Sequence, residues 1–316
     1  MRQQSNRTPS EGNRGARVSF PMRLLSAAAV PVAPLFGLAL TYLLFHPPRR
    51  ARHKGPGEAG LPQPEQLRAP IGGGKHLNAW LFKGDPARVV VVGHGIGLNK
   101  SASLAHAKFL HDAGYTVCLF DHRNHGESSR DGSAVGLSDK FTTDVTTLVS
   151  VLRKQEEHRS AKIAAYGFSF STFPVFYSLR SAESGVDAII CDSGPSIDLA
   201  PLFRNFLDAD KIPLPPPFHV RPSRALLEWS MCAAGPAMLR ADWPPPVDGH
   251  YDKVPMLFLA GELDPILTPP AIDALASRYS HAEVHMLPGV DHLQGLKTDP
   301  EKYTSTVLNF LQRAFA

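Results

Sequence analysis

Residues Lys162 to Ser171 read KIAAYGFSFS. A short apolar run, KIAAY, passes without a loop into glycine, an aromatic and a serine, and then into TFPVFYSL, an apolar stretch of helical character. A run so short and continuous fits a strand covered on both faces, which places the serine on the sharp turn between strand and helix. Similar runs recur along the chain: RVVVV (88–92), YTVCLF (115–120), VDAIIC (186–191), PMLFLA (255–260) and AEVHML (282–287). Segments of helical periodicity separate them, clearest in Phe141, Val145, Leu148, Val149 and Leu152, which share one stripe. This alternation predicts an α/β fold, a mostly parallel central sheet with helices on both faces and right-handed crossovers. Chemistry is then expected at the carboxyl ends of the strands.

Working outward, HLNAWLFK (76–83) alternates as a strand does, and Gly72, Gly73 and Gly74 before it mark a turn. The string GGGK is not a phosphate loop, because the first glycine of that motif and the Ser or Thr after Lys75 are missing. One connection breaks the rhythm. Between Asp192 and Val254 lie many prolines, including Pro215 to Pro217 and Pro244 to Pro246, and two apolar helical pieces, IDLAPLFRNFL and RALLEWSMCAAGPAML. An insertion with its own apolar helices predicts a lid over about residues 195–253.

Charge is concentrated at the front. Residues 1–54 hold nine Lys or Arg and one acid, Glu11, so with the chain at +4 overall the remainder carries about −4. Beyond Lys54 there is no basic run with interleaved aromatics, which argues against a nucleic-acid partner. Cys118, Cys191 and Cys232 are too few and scattered for a disulfide framework, and no metal-ligand spacing or dinucleotide loop is present, so no metal and no cofactor is expected.

From Leu24 to Phe45 run 22 residues without a charge. As a helix they would reach roughly 33 Å, enough to cross a bilayer. Arg23 closes one end, and Arg49, Arg50, Arg52 and Lys54 close the other. The division expected is a basic tail (1–23), a transmembrane anchor (24–45), a linker rich in Pro, Gly and Arg (46–64) and a catalytic domain (65–316), giving a single-pass membrane protein. A cleaved signal peptide, with secretion, is the rival, although HPPRR after the apolar run is a poor cleavage region. An Arg- and Ser-rich organelle address over residues 2–19 is a third reading. Basic residues lie on both sides, so orientation stays open; a start at Met22 would leave the catalytic domain cytoplasmic.

The GFSFS turn places Ser169 near a helix N-terminus, where developing negative charge is favoured. Gly167 satisfies a GxSxG pattern and Ser171 departs from it. With these marks the chain resembles the α/β-hydrolase superfamily from about Gln66 to Ala316. VVGHGIGLN carries His94 and Gly95, similar to the family's HG turn, and FDHRNHGES carries Asp121, Arg123, Gly126 and Ser128 of its D-x-R-x-x-G-x-S turn. The elbow serine, the acid of AGELDPILTP and the histidine of GVDHLQ follow in the family's order.

A serine hydroxyl needs a base with a pKa near neutrality, and His292, in the loop after the last apolar run, is the best placed of the 14 histidines. Asp264, after PMLFLAG, is the carboxylate expected to orient it. Asp192, directly after VDAIIC, is a rival acid; Asp291 is expected to cap its turn, and Ser171 could replace Ser169 by a shift of register. His94 is read as structural, His122 and His125 as surface residues or residues one layer behind the site. The resemblance implies an oxyanion hole from the backbone amides of Ile96 and Phe170. A serine rather than an aspartate at the elbow argues against the dehalogenase and epoxide-hydrolase branches. These readings imply a serine hydrolase cleaving a carboxylic ester through an acyl-enzyme. Leu202, Phe203, Phe206, Leu226, Leu227, Trp229 and Met231 of the insertion would suit an apolar, lipid-like ester substrate, or simply pack the lid to the body. Alternatives are an acyltransferase, thioesterase or peptidase on the same residues, or a membrane-tethered binding protein without turnover.

Overall fold

The computed structural model describes residues 19–49, 54–209 and 212–316. The expected basic tail up to residue 18, and positions 50–53 of the expected linker, lie outside the described residues.

Eight strands form one sheet: β1 (Glu65–Gly72), β2 (Lys75–Phe82), β3 (Asp85–Val92), β4 (Tyr115–Phe120), β5 (Lys162–Phe168), β6 (Ala188–Asp192), β7 (Met256–Gly261) and β8 (Ala282–Leu287). Their order is β1-β2-β4-β3-β5-β6-β7-β8, antiparallel at the β1/β2 and β2/β4 pairings and parallel elsewhere. Every apolar run quoted above lies on one of these strands. β1 has no counterpart among the runs. It is an edge strand, half exposed along its length, and it carries Pro70. A proline and a polar outer face are tolerated at an edge and hide the strand from a search for apolar runs.

The helices are α1 (Phe20–Ala29), α2 (Ala33–Phe45), α3 (Leu104–Asp112), α4 (Leu137–Lys154), α5 (Thr172–Tyr177), α6 (Ala200–Asp208), α7 (Ser223–Leu239), α8 (Pro269–Ala276), α9 (Gly295–Thr298) and α10 (Pro300–Ala314). Strand side chains alternate between two cores. Val89 and Val91 of β3 pack with the α4 stripe of Val145, Leu148, Val149 and Leu152. Val90 and Val92 face the other way, toward Leu104 and Leu110 of α3 and Val307 and Phe310 of α10. Both faces are thus covered, the condition that lets a parallel strand be apolar throughout.

A third core lies above the sheet's carboxyl edge, where α1 and α2 meet the insertion between β6 and β7. Pro31 interrupts the apolar segment with one 3₁₀ turn (Val30–Val32) without ending its course. The stretch Phe20–Phe45 is long and apolar enough to span a membrane. One face is nevertheless docked on the protein: Ser26, Ala33, Gly37, Thr41 and Phe45 are buried, most of them four residues apart. The hydroxyl of Ser26 donates to the Val220 carbonyl (2.9 Å) and lies 2.9 Å from Ser223 Oγ. Gly37 lets α2 approach α7, since a Cβ there would sit 1.9 Å from Ser230 Oγ and 2.8 Å from the Leu227 carbonyl oxygen. Gly37→Val should therefore push the two helices apart and destabilise the protein by about 1–3 kcal/mol, read as a lowered melting temperature of the full-length chain.

Candidate active site

β5 ends at Phe168, and the chain turns into α5 through a 3₁₀ turn over Ser169–Ser171. Ser169 takes a left-handed conformation, φ +50°. For a residue with a Cβ this costs about 1–3 kcal/mol and persists only where neighbours impose it. Gly167 is one of them: a Cβ there would stand 2.5 Å from the Ser171 carbonyl oxygen, so no other residue fits the turn. Ser171 Oγ accepts a hydrogen bond from the Phe168 amide (2.8 Å) and clamps the turn from the other side. The hydroxymethyl is accommodated because Gly93 faces it; a Cβ on Gly93 would lie 2.9 Å from the Ser171 Cβ. Ser171 is thus committed to the local backbone, and Ser169 is the serine that faces His292.

Three side chains meet at the carboxyl edge of the sheet, from the ends of β5, β7 and β8. Ser169 Oγ lies 2.9 Å from His292 Nε2, and His292 Nδ1 lies 2.7 Å from Asp264 Oδ2. The other carboxylate oxygen of Asp264 accepts from the amides of Ile266 (2.9 Å) and Leu267 (3.0 Å). The buried carboxylate therefore has partners on both oxygens, and its bond to Nδ1–H leaves Nε2 free to accept the serine proton. Asp291 accepts from the His292 amide (2.6 Å), a turn cap.

Asp192, the rival acid, lies at the end of β6 and is held by the hydroxyls of Tyr303 and Ser193. Burial pushes its carboxyl up to about 6. Ser193 in turn accepts from the Leu293 amide (3.1 Å), so Asp192 braces the loop carrying His292. Nothing in the VDAIIC run announces that brace, because Tyr303 lies 111 residues away.

The loop after β3 carries Ile96, which borders the same pocket as Ser169 and Phe170. Two buried histidines hold this loop. His94 Nε2 accepts from the His122 amide (3.2 Å), which leaves Nδ1–H to donate to the Gly95 carbonyl (2.8 Å). His125 Nε2 accepts from the Gly97 amide (3.2 Å), and its Nδ1–H donates to the Arg123 carbonyl (2.9 Å). Each bond set requires the neutral ring, and burial lowers the two pKa values to about 4 and about 3. The expectation that His122 and His125 could be surface residues is corrected: both are buried, His122 with its ring against Phe120, Phe141 and Phe170. Behind them Arg123 pairs with Asp144 and Asp131, all buried.

Comparison with known proteins concerns the fold that carries these residues. A family model described as serine aminopeptidase, S33, matches residues 84–220. The esterase Pf2001 of Pyrococcus furiosus superposes with a TM-score of 0.68 at 20% identity, covering 86% of this chain and 98% of that one. A thermophilic esterase from Thermogutta terrifontis gives 0.58 at 18% identity, covering 80% of this chain and all (100%) of the other. The chain has the α/β-hydrolase fold. At such identities the structural likeness is one of fold. An uncharacterised protein of Bacillus subtilis (strain 168), YqkD, is 28% identical over 109 residues, 34% of this chain and 35% of that protein, so the match spans about a third of the relative's length.

The pocket beside Ser169 has an open space of about 660 Å³, mouth included. Its walls are Ile96, Phe170 and Leu267 of the body, Leu202, Phe203 and Phe206 of the insertion and, unforeseen from the sequence, Leu44 and Phe45 of α2. Among the described residues no charged side chain lines it. Of the other apolar residues expected there, Leu227 and Met231 are buried in the third core, Leu226 packs at its edge, and Trp229 is exposed. Among the described residues no group of three His, Cys, Asp or Glu is gathered as a metal site would need.

Two histidines kept neutral by burial should make the protein acid-sensitive. A base whose folded pKa is depressed contributes stability that is complete above its unfolded value, near 6.5, and lost as pH falls toward the folded value. At pH 5 each of His94 and His125 should cost about 2 kcal/mol relative to pH 7. Urea titrations at the two pH values should show that loss, and His125→Gln, which keeps an amide acceptor and donor without a titratable ring, should shrink it.

Proposed function

We propose that this esterase-like α/β-hydrolase cleaves carboxylic esters with an apolar acyl or alcohol group through an acyl-enzyme on Ser169. The observation that carries the reading is the hydrogen-bonded row Ser169–His292–Asp264 opening onto an uncharged, apolar pocket. Ser169 Oγ attacks the ester carbonyl carbon while His292 Nε2 takes its proton, and Asp264 stabilises the imidazolium. The amides of Ile96 and Phe170 are assigned to the oxyanion, each such donor contributing roughly 3 kcal/mol to the barrier reduction. His292 then protonates the leaving alcohol. Water attacks the acyl-enzyme with His292 again as base, and the acid departs as Ser169 recovers its proton.

A peptidase, the activity in the description of the matching family model, would have to hold a substrate ammonium if it trimmed N-termini. Among the described residues the pocket lining provides no carboxylate for one, which favours the ester. An acyltransferase or thioesterase would use the same residues and is separated by the product formed with water against alcohol, amine or thiol acceptors. In the full-length protein Ser169→Ala should lower kcat/KM for p-nitrophenyl butyrate by at least about 10³-fold and abolish fluorophosphonate labelling. Undiminished turnover by that variant would refute the assignment, and an unlabelled wild type would point to a binding protein without turnover.

The segment division follows the same logic: a basic tail over 1–23, a membrane-attaching helix over 24–45, a linker over 46–64 and a hydrolase domain over 65–316, with the insertion of about 195–253 as lid. The undocked face of the helix exposes Phe20, Leu24, Leu25, Val32, Leu35, Leu38 and Leu43. What supports retention of the helix, rather than cleavage as a leader, is the docked face, whose removal would uncover Leu227 and Met231. A crossing orientation would have to carry α7 into the hydrocarbon with it, so the helix is read as seated along a membrane surface by its outer face. Combining Leu24→Glu, Leu35→Glu and Leu38→Glu should reduce co-flotation with phosphatidylcholine/phosphatidylglycerol vesicles by at least about tenfold while sparing fluorophosphonate labelling.

A further inference from the structure

The end of α2 is fastened to the catalytic body more tightly than a tether requires. The carbonyl of Phe45 accepts from Asn124 Nδ2 (3.1 Å), and the ring of His46 bridges the carbonyls of Asp131 and Tyr42, both at 2.9 Å. The guanidinium of Arg49 donates to the Ser128 carbonyl (2.8 Å). Asn124, Ser128 and Asp131 all lie on the 121–131 turn, the turn whose His125 holds the loop of Ile96. Between them the buried ring of Phe45 touches three others: Phe141 of α4, Phe170 next to the nucleophile, and Phe203 of the insertion, with centroids 6.2, 6.2 and 6.5 Å away. Leu44, half-buried, completes the same wall.

We propose that the last turn of the N-terminal helix is part of the acyl-binding pocket, and that Leu44 and Phe45 set the length and bulk of the chain that fits. The inference rests on the ester reading and adds to it a specificity-determining element supplied from outside the hydrolase domain. A hydrophobic wall discriminates by volume: enlarging it admits longer chains, and filling it excludes them. Because the wall belongs to the helix whose outer face is apolar, whatever displaces that helix also reshapes the pocket.

Leu44 is the position to vary, since its side chain is less deeply packed than the Phe45 ring. For full-length wild type, Leu44→Trp and Leu44→Ala, kcat/KM would be measured on p-nitrophenyl acetate and octanoate, and decanoate binding by calorimetry. The octanoate-to-acetate ratio should fall about tenfold or more in Leu44→Trp and shift toward the longer ester in Leu44→Ala. Decanoate affinity should weaken about tenfold or more in Leu44→Trp. Ratios and affinities within about twofold of wild type in both variants would overturn the proposal. Should the wild type hydrolyse neither ester while decanoate binding still responds to Leu44, the pocket wall stands and the esterase reading falls.

Discussion

The strand β5 has to become the helix α5 within three residues, and that constraint governs the rest of the molecule. A turn so abrupt forces Ser169 into a left-handed backbone that its Cβ disfavours, so the surroundings must hold it there. Every neighbour contributes by being small or by being tied down: Gly167 gives way to the Ser171 carbonyl, Gly93 to the Ser171 side chain, and Ser171 bonds the Phe168 amide. The result is a hydroxyl fixed in space before any substrate arrives. The two loops that meet it are fixed just as firmly, Asp264 by the backbone amides of Ile266 and Leu267, and the His292 loop by Ser193 and Asp192. Preorganised side chains favour a reaction most when little reorganisation is needed as charge develops.

The buried polar residues behind the loop of Ile96 likewise fix local geometry, at some expense to stability. A histidine such as His94 or His125 could be replaced by an apolar side chain only by leaving the Gly97 amide or the Gly95 carbonyl without its partner. Arg123 with Asp144 and Asp131 has the same character, a buried ionic cluster whose members cannot be removed singly without stranding a charge. Specific backbone geometry near Ile96 is what these groups secure, and the depressed pKa values of His94 and His125 accompany it.

The sheet was legible because its strands are covered on both faces and so appear as unbroken apolar runs. The three side chains that meet were legible for a related reason: each follows such a run, at the edge where a parallel sheet leaves its loops. β1 escaped notice because an edge strand has one polar side and can hold Pro70. His122 and His125 looked like turn residues of the surface, since the elements that bury them, Phe141 of α4, Phe170 and the 93–99 loop, are remote in sequence. Local pattern carries no trace of such partners. The brace from Asp192 through Ser193 to Leu293 escaped for the same reason.

The N-terminal helix shows where composition alone stops discriminating. Twenty-two uncharged residues meet the requirement for hydrocarbon, and a helix wedged against the insertion between β6 and β7 meets it equally well, because both environments exclude water. What separates the two is spacing. Ser26, Ala33, Gly37 and Thr41 place small side chains along one face, where α7 and its preceding turn come close enough for Gly37 to meet Ser230. Leucines dominate the opposite face, which no part of the described protein covers. A helix with one face shaped to protein and the other left apolar is built to stand between two partners. Its final turn, Leu44 and Phe45, also lines the pocket beside Ser169, so the same helix borders both surfaces.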